Sequence, residues 1–242
     1  MEDIVKKPAK PLGGKGYGST PHLLGSRVGP GDWHIHEGQA RILTESARDR
    51  HDRIIVTEKL DGSCVTVANL GGAAVPVTRA GYHAKDSPFK MHHMFADWVA
   101  EREDRFLSIL EHGERIVLEW LAQAHGTRYR LESRDAMGVC FAVMNGKRRL
   151  PHDEARRRFE VSGLVGAAVV SDGPPLSQAA AITALGPLGR HGALDPVEGA
   201  VWVCERKGEF DFIAKHVVPD KVDGKFLPVI TGSGDVWNEV VA

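Results

Sequence analysis

Residues 54–63, Ile54-Ile55-Val56-Thr57-Glu58-Lys59-Leu60-Asp61-Gly62-Ser63, run from an apolar stretch straight into a charged turn. The apolar part reads as a buried strand, since a short run of branched side chains bounded by a turn favours extended backbone. If the extension continues, Lys59 and Asp61 project to one face, because side chains alternate along a strand. Gly62 then permits a tight turn and close approach of a ligand to the backbone. A lysine acts as a nucleophile only when its amine is neutral, which takes desolvation or a neighbouring cation. A surface lysine ahead of a type I turn has the same local pattern, so this stretch needs support from the rest of the chain.

Downstream, residues 65–67 and 75–78 flank Leu70-Gly71-Gly72-Ala73, a hairpin signal. Ser87-Pro88 reads as a helix N-cap with proline at the first helical position. Met91, Met94, Phe95, Trp98 and Val99 follow at helical spacing, and the helix is expected to reach about Leu110. His92 and His93 within it are adjacent, and adjacent helical positions do not converge on one metal ion. Strands are expected at 116–120, 138–143, 200–204 and 210–214, with a strand-like run at 164–170. Short helices are expected at 153–159 and 177–185. No repeat and no linker divides the chain. The pattern predicts an α+β fold, with mainly antiparallel sheets flanked by helices, over residues 33–217. Residues 1–32, rich in Gly and Pro, read as an N-terminal arm, and 218–242 as a tail packed on the same domain. The arm's Gly14-Lys15-Gly16-Tyr17-Gly18 is reminiscent of a phosphate loop but lacks the Walker spacing, which leaves a plain glycine loop.

The composition narrows the function classes. With 242 residues, 42% hydrophobic and 26% charged, the chain can bury one sizeable core or two lobes of one domain. Its formal net charge of -1 excludes a protein that grips nucleic acid over its whole surface, so any such contact is local. Cys64, Cys140 and Cys204 are dispersed and odd in number, which speaks for buried thiols in a reducing compartment rather than a disulfide or zinc framework. No apolar stretch is long enough to cross a membrane, and Met1 to Lys7 lacks the apolar core of a signal peptide. A cytoplasmic location is expected.

Several short motifs stand in a fixed order along the chain: Lys59-Leu60-Asp61-Gly62, Arg79-Ala80-Gly81, Glu119 within Leu118-Glu119-Trp120, Phe141, Glu198-Gly199-Ala200-Val201 and Phe212-Ile213-Ala214-Lys215. In this order they resemble the covalent nucleotidyltransferase superfamily of ATP-dependent ligases and mRNA-capping enzymes, and the ATP-dependent RNA ligases above all. The arm from Tyr17 to Leu23 and the run from Trp120 to Tyr129 are also similar to those of small bacterial RNA ligases.

The resemblance implies that Lys59 attacks the α-phosphate of ATP, expels pyrophosphate and carries AMP, with Asp61 and Lys215 as its catalytic companions. It further implies transfer of AMP to an RNA 5′-phosphate and sealing to a 3′-hydroxyl. Arg79 offers a planar fork for a phosphate or the ribose beside it. Glu119 can accept from ribose hydroxyls, its plain alternative being a buried salt bridge. Phe141 offers a face for adenine, although a phenylalanine in an apolar strand also suits a core. Glu198 is expected to hold Mg²⁺, and Lys215 to neutralise the α-phosphate and depress the pKa of Lys59. Glu58, next to the nucleophile, is counted with the nucleotide-binding residues.

Three features depart from the family pattern. Phe141 is followed by Ala142 where a carboxylate is frequent, and Ile213 and Val217 flank Lys215 where a second lysine is usual. Fewer than thirty residues follow Lys215, too few for a further nucleic-acid-binding domain. Substrate binding would then fall to the core, with Lys147-Arg148-Arg149 and Arg156-Arg157-Arg158 as candidate grips or, more simply, solvated faces. A DNA ligase, a capping-type guanylyltransferase and a non-catalytic module that binds nucleotides or RNA ends remain the alternatives.

Overall fold

The computed structural model describes residues 9–241. Ala242 and the first eight residues of the arm, including Pro8 and the Met1 to Lys7 stretch, lie outside the described residues. Helix α1 (Glu37–Thr44) leads into β1 (Asp52–Lys59), β2 (Ser63–Leu70) and β3 (Ala73–Thr78). Ile54, Ile55 and Val56 are fully buried, as their run of branched side chains requires. Leu70 faces Ala73 across Gly71 and Gly72, both at positive φ, so the expected hairpin is present.

Helix α2 (Lys90–Ala100) buries Phe95, Trp98 and Val99 but differs from expectation at both ends. Phe89 is its N-cap, and the Ser87 hydroxyl instead meets His92 Nδ1 at 2.6 Å. The helix does not run on to Leu110. Arg102 leaves helical geometry as its guanidinium turns back to the Trp98 carbonyl and to Asp135, and a separate α3 (Glu103–Leu107) follows. Next come β4 (Glu114–Trp120), β5 (Arg130–Leu131), β6 (Gly138–Asn145), β7 (Arg148–Arg149) and α4 (His152–Val161). The strand-like run at 164–170 is two strands, β8 (Val165–Gly166) and β9 (Val169–Gly173). Then follow α5 (Gln178–Leu185), β10 (Gly199–Arg206), β11 (Glu209–Val217), α6 (Pro228–Thr231) and β12 (Glu239–Val240).

The fold is α+β with mostly antiparallel sheets. One sheet has the order β11-β10-β1-β9, and the larger one β3-β2-β4-β6-β7, with β8 beside β6. Chain segments after Lys59 and after Gly166 cross between the two sheets, which places the end of β1 at their junction. Each sheet has its own core. Trp98, Trp120, Phe95 and Phe106 pack under the larger sheet, while Leu43, Ile54, Val56, Trp202 and Leu185 pack under the smaller. Both cores draw on alternate residues of their strands, which leaves the facing sides of the sheets free to line a cleft.

Candidate active site

A cavity of about 930 Å³ opens between the sheets, lined among others by Thr57 and Lys59 of β1, Glu119 of β4, Phe141 of β6, Val201 of β10 and Lys215 of β11. Strand alternation delivers these side chains inward, and it turns Glu58 the other way. The Glu58 carboxylate accepts from the Arg190 amide at 2.8 Å, although the residue still lines the cavity. Burial pushes its carboxyl up to about 7. The structure therefore brings Lys59, Asp61, Glu119, Glu198 and Lys215 together, with Arg79 at the mouth and Phe141 on the wall.

Lys59 Nζ lies 2.7 Å from Glu198 Oε2. Burial alone would lower the lysine pKa, but the carboxylates of Glu198, Glu119 and Asp61 outweigh it and raise the pKa. This runs against the expectation of a depressed amine, since the three carboxylates favour the ammonium form. Glu119 accepts from the Gly62 amide at 3.0 Å and makes no ion pair among the described residues, against the salt-bridge alternative. Burial pushes its carboxyl up to about 7. Lys215 is lowered, first by burial and then by Lys59.

The arm takes part in the site. Leu23 donates to the Lys215 carbonyl, Lys215 donates to the Pro21 carbonyl, and Asp32 Oδ1 lies 3.9 Å from Lys215 Nζ. Tyr17 meets Phe141 edge-on, with ring centroids 5.4 Å apart, so one face of Phe141 is left to the cavity rather than to either core. The glycine loop at 14–18 is spent on packing, since the Gly16 and Tyr17 amides both point at the Arg79 carbonyl. Arg79 itself is exposed, and its Nη2 reaches the Gly18 carbonyl at 3.3 Å.

The basic clusters are mixed. Arg148 pairs with Glu209 and Arg156 with Glu160 on the surface. Arg149, by contrast, is buried and binds the Tyr17 hydroxyl and the Phe141 carbonyl. Cys140 and Cys204 are buried as expected, whereas Cys64 is partly exposed on the cavity wall. The residue that sequence reasoning missed is Lys221. It comes from the tail, is buried, and lies 2.6 Å from Asp61 Oδ2. No local pattern marks it.

The RNA ligase family profile matches residues 52–217. The chain belongs to the RNA ligase family. Its fold is similar to that of an archaeal ATP-dependent RNA ligase, with a TM-score of 0.53 and 22% identity over 84% of this chain and 48% of that one. A Naegleria gruberi RNA ligase variant with ATP and Mn aligns at a TM-score of 0.51 and 16% identity, over 82% of this chain and 58% of that one. A protein assigned as an ATP-dependent DNA ligase from Aquifex aeolicus aligns at 0.53 and 18% identity, over 84% and 50% of the two chains. At these identities the likeness shows the fold alone, and the chain spans about half the length of the structures it matches. No curated protein matches the sequence.

Within this RNA ligase family member, the departures at Ala142 and Val217 have plain structural readings: both side chains are buried. No group of three or more His, Cys, Asp or Glu that could hold a metal ion occurs among the described residues, so a cage built from protein alone is absent. The donor set still fits Mg²⁺, which keeps several waters and typically takes one or two carboxylates together with substrate phosphates. Glu198 and Glu119, both on the cavity wall, are the carboxylates that could hold such an ion.

Proposed function

We propose that the chain is an ATP-dependent RNA ligase that forms a covalent lysyl-AMP at Lys59, with residues 33–217 as the nucleotidyltransferase domain, 1–32 as its arm and 218–242 as its tail. The observation that carries this reading is Lys59 on the wall of a cavity that Phe141 and Val201 also line, with a carboxylate 2.7 Å from its amine. In the first step the Lys59 nitrogen forms a bond to the α-phosphorus. The bond from that phosphorus to the bridging oxygen breaks, pyrophosphate leaves with the electron pair, and the proton that the amine must shed passes to Glu198, whose Oε2 lies 2.7 Å from the amine nitrogen. Phosphoryl transfer of this kind rests on positioning and charge neutralisation more than on covalent help from the protein. Lys215 and Arg79 supply that charge. Mg²⁺ bound with Glu198 would add further neutralisation of the phosphates. AMP then passes to an RNA 5′-phosphate, with cleavage of the N–P bond, and a 3′-hydroxyl displaces it as the strand is sealed.

Intact-mass analysis after incubation with ATP and Mg²⁺ tests the first step. The expected result is a gain of one AMP that disappears in Lys59→Ala and persists in Lys90→Ala. No adduct with any nucleotide or metal would sink the enzyme reading. A second reading, a module that binds nucleotide or RNA ends, draws support from the charged, paired state of Lys59. It predicts ATP binding without an adduct. Comparing ATP with GTP, and then RNA ends with DNA ends, separates the RNA ligase from a capping-type enzyme and a DNA ligase.

A further inference from the structure

Asp61 of the Lys59-Leu60-Asp61-Gly62 turn is held by partners that no motif announces. Its Oδ2 accepts from the Gly126 amide at 2.8 Å and from Lys221 Nζ at 2.6 Å, and its own amide donates to the Tyr129 hydroxyl at 3.0 Å. Lys221 is buried, and its ammonium also meets the buried Thr127 hydroxyl. The segment that carries it is anchored to the site: the Val218 amide donates to the Glu198 carbonyl at 2.9 Å, and the Lys221 amide to the Val218 carbonyl at 3.1 Å. There is no spare room. A side chain at Gly126 would strike the Val222 carbonyl, the Asp61 carboxylate and the Lys221 side chain.

We propose that Lys221 is a positioning residue for nucleotide transfer to Lys59, holding the Asp61 carboxylate against the 126–127 turn and away from the Lys59 amine. The inference rests on the reading of Lys59 as nucleophile. Asp61, Glu119 and Glu198 are the carboxylates that act on Lys59. A buried carboxylate without a counterion moves to the nearest cation, because an uncompensated charge in a low-dielectric site is costly. Without Lys221, Lys59 is a cation on which this carboxylate already acts. The amine would gain a second carboxylate partner and the turn would lose the bond that sets its direction. Lys221 does not line the nucleotide cavity, so its loss reaches the reaction through Asp61 and not through ATP contacts.

The test is single-turnover formation of lysyl-AMP, with ATP affinity measured separately. Lys221→Met should slow the transfer by about tenfold or more, as a misplaced reacting group does, while ATP affinity changes by no more than about twofold. Lys221→Arg, which still brings a cation to Asp61, should restore at least about a third of the rate. Asp61→Asn combined with Lys221→Met should be no slower than Asp61→Asn alone, since the two act as one unit. An unchanged rate in Lys221→Met, an additive double variant, or an equal loss of ATP affinity and rate overturns the proposal. If Lys221→Met does not fold, a folded Lys221→Arg with less than that third of the rate overturns it as well. Hydrogen exchange of the Gly126 amide needs no catalysis. Faster exchange in the Lys221 variants supports the hold of Lys221 on Asp61, and unchanged exchange overturns the proposal; a wild-type chain that forms no adduct overturns the reading of Lys59 instead.

Discussion

Strands β1 and β10 are paired along their whole length, and their two ends carry charge in contrasting ways. At the outer end Asp52 lies opposite Arg206. Its side chain is fully shielded and accepts from Arg48 Nε and Nη2 at 2.8 Å, the Arg48 amide at 2.9 Å and Arg206 Nη1 at 2.7 Å. These bonds, Arg48 first, hold the Asp52 carboxyl well below the usual range. At the inner end Lys59 lies opposite Gly199, and the neighbouring Glu198 gives the amine a single short contact at 2.7 Å inside a cavity. The outer cluster is saturated by planar guanidinium forks, so nothing gains by opening it. The inner pair has burial working against both charges and few hydrogen bonds to offset it. A ligand that brings its own phosphates can open it. The same strand pair thus holds a clamp at one end and a breakable contact at the other.

The largest effect expected from this contrast is at the inner end. Glu198→Gln should slow lysyl-AMP formation by about 10²-fold, in line with removal of a charge-stabilising group at a transfer site. A wild-type rate in a folded variant would remove Glu198 from the reaction.

The second test concerns Glu119, whose carboxyl is raised from 4.5 to about 7. The folded protein binds a proton there that the unfolded chain has released, so the contribution of Glu119 to stability is greatest below about pH 4.5 and falls as pH rises to about 7. Denaturant melts across that range should show a loss of roughly 1–3 kcal/mol from this group, flattened in Glu119→Gln. Equal slopes in the two proteins would mean that Glu119 is ionised throughout.

The outer end should behave with the opposite sign. The Asp52 carboxyl is depressed, so its contribution is complete above the ordinary carboxylate value and is lost as pH falls below about 4. Asp52→Asn should cost about 1–2 kcal/mol at neutral pH and show a shallower acid limb in thermal melts. A wild-type acid limb would shift credit to other carboxylates. Smallest of all is Asp49→Asn. Asp49 reaches Arg206 at 2.7 Å but is exposed, and no change in melting temperature is expected. A clear loss would show that the outer cluster acts as one network.

The legibility of the molecule followed the range of the interactions. The hairpin at Gly71 and Gly72, the strands around Ile55, Val117 and Val203, and the Ala-rich helix α5 rest on local turn chemistry and side-chain periodicity, and each was readable. The helix starting at Ser87 was misjudged because Ser87 bonds His92, and Arg102 prefers distant Asp135 to a continued helix. The run at 164–170 divides because its halves join different sheets, a choice made by the partners β6 and β1. Glu58 illustrates the same limit. It lines the cavity that Lys59 lines, while its carboxylate bonds the amide of Arg190, 132 residues away in the chain.

The sequence by itself determined the residue types at the site, their order and the α+β class, because strands, turns and motif chemistry are properties of short segments. Tertiary structure alone decided three things: that Lys59 is paired with Glu198, that Phe141 lines the cavity beside Tyr17, and that Lys221 reaches Asp61 from the tail. The physical reason is common to all three. A charge state depends on burial and on neighbours, and here the partner of Lys59 is 139 residues away in the chain. No local pattern encodes such a contact, only the packing that brings the two sheets together.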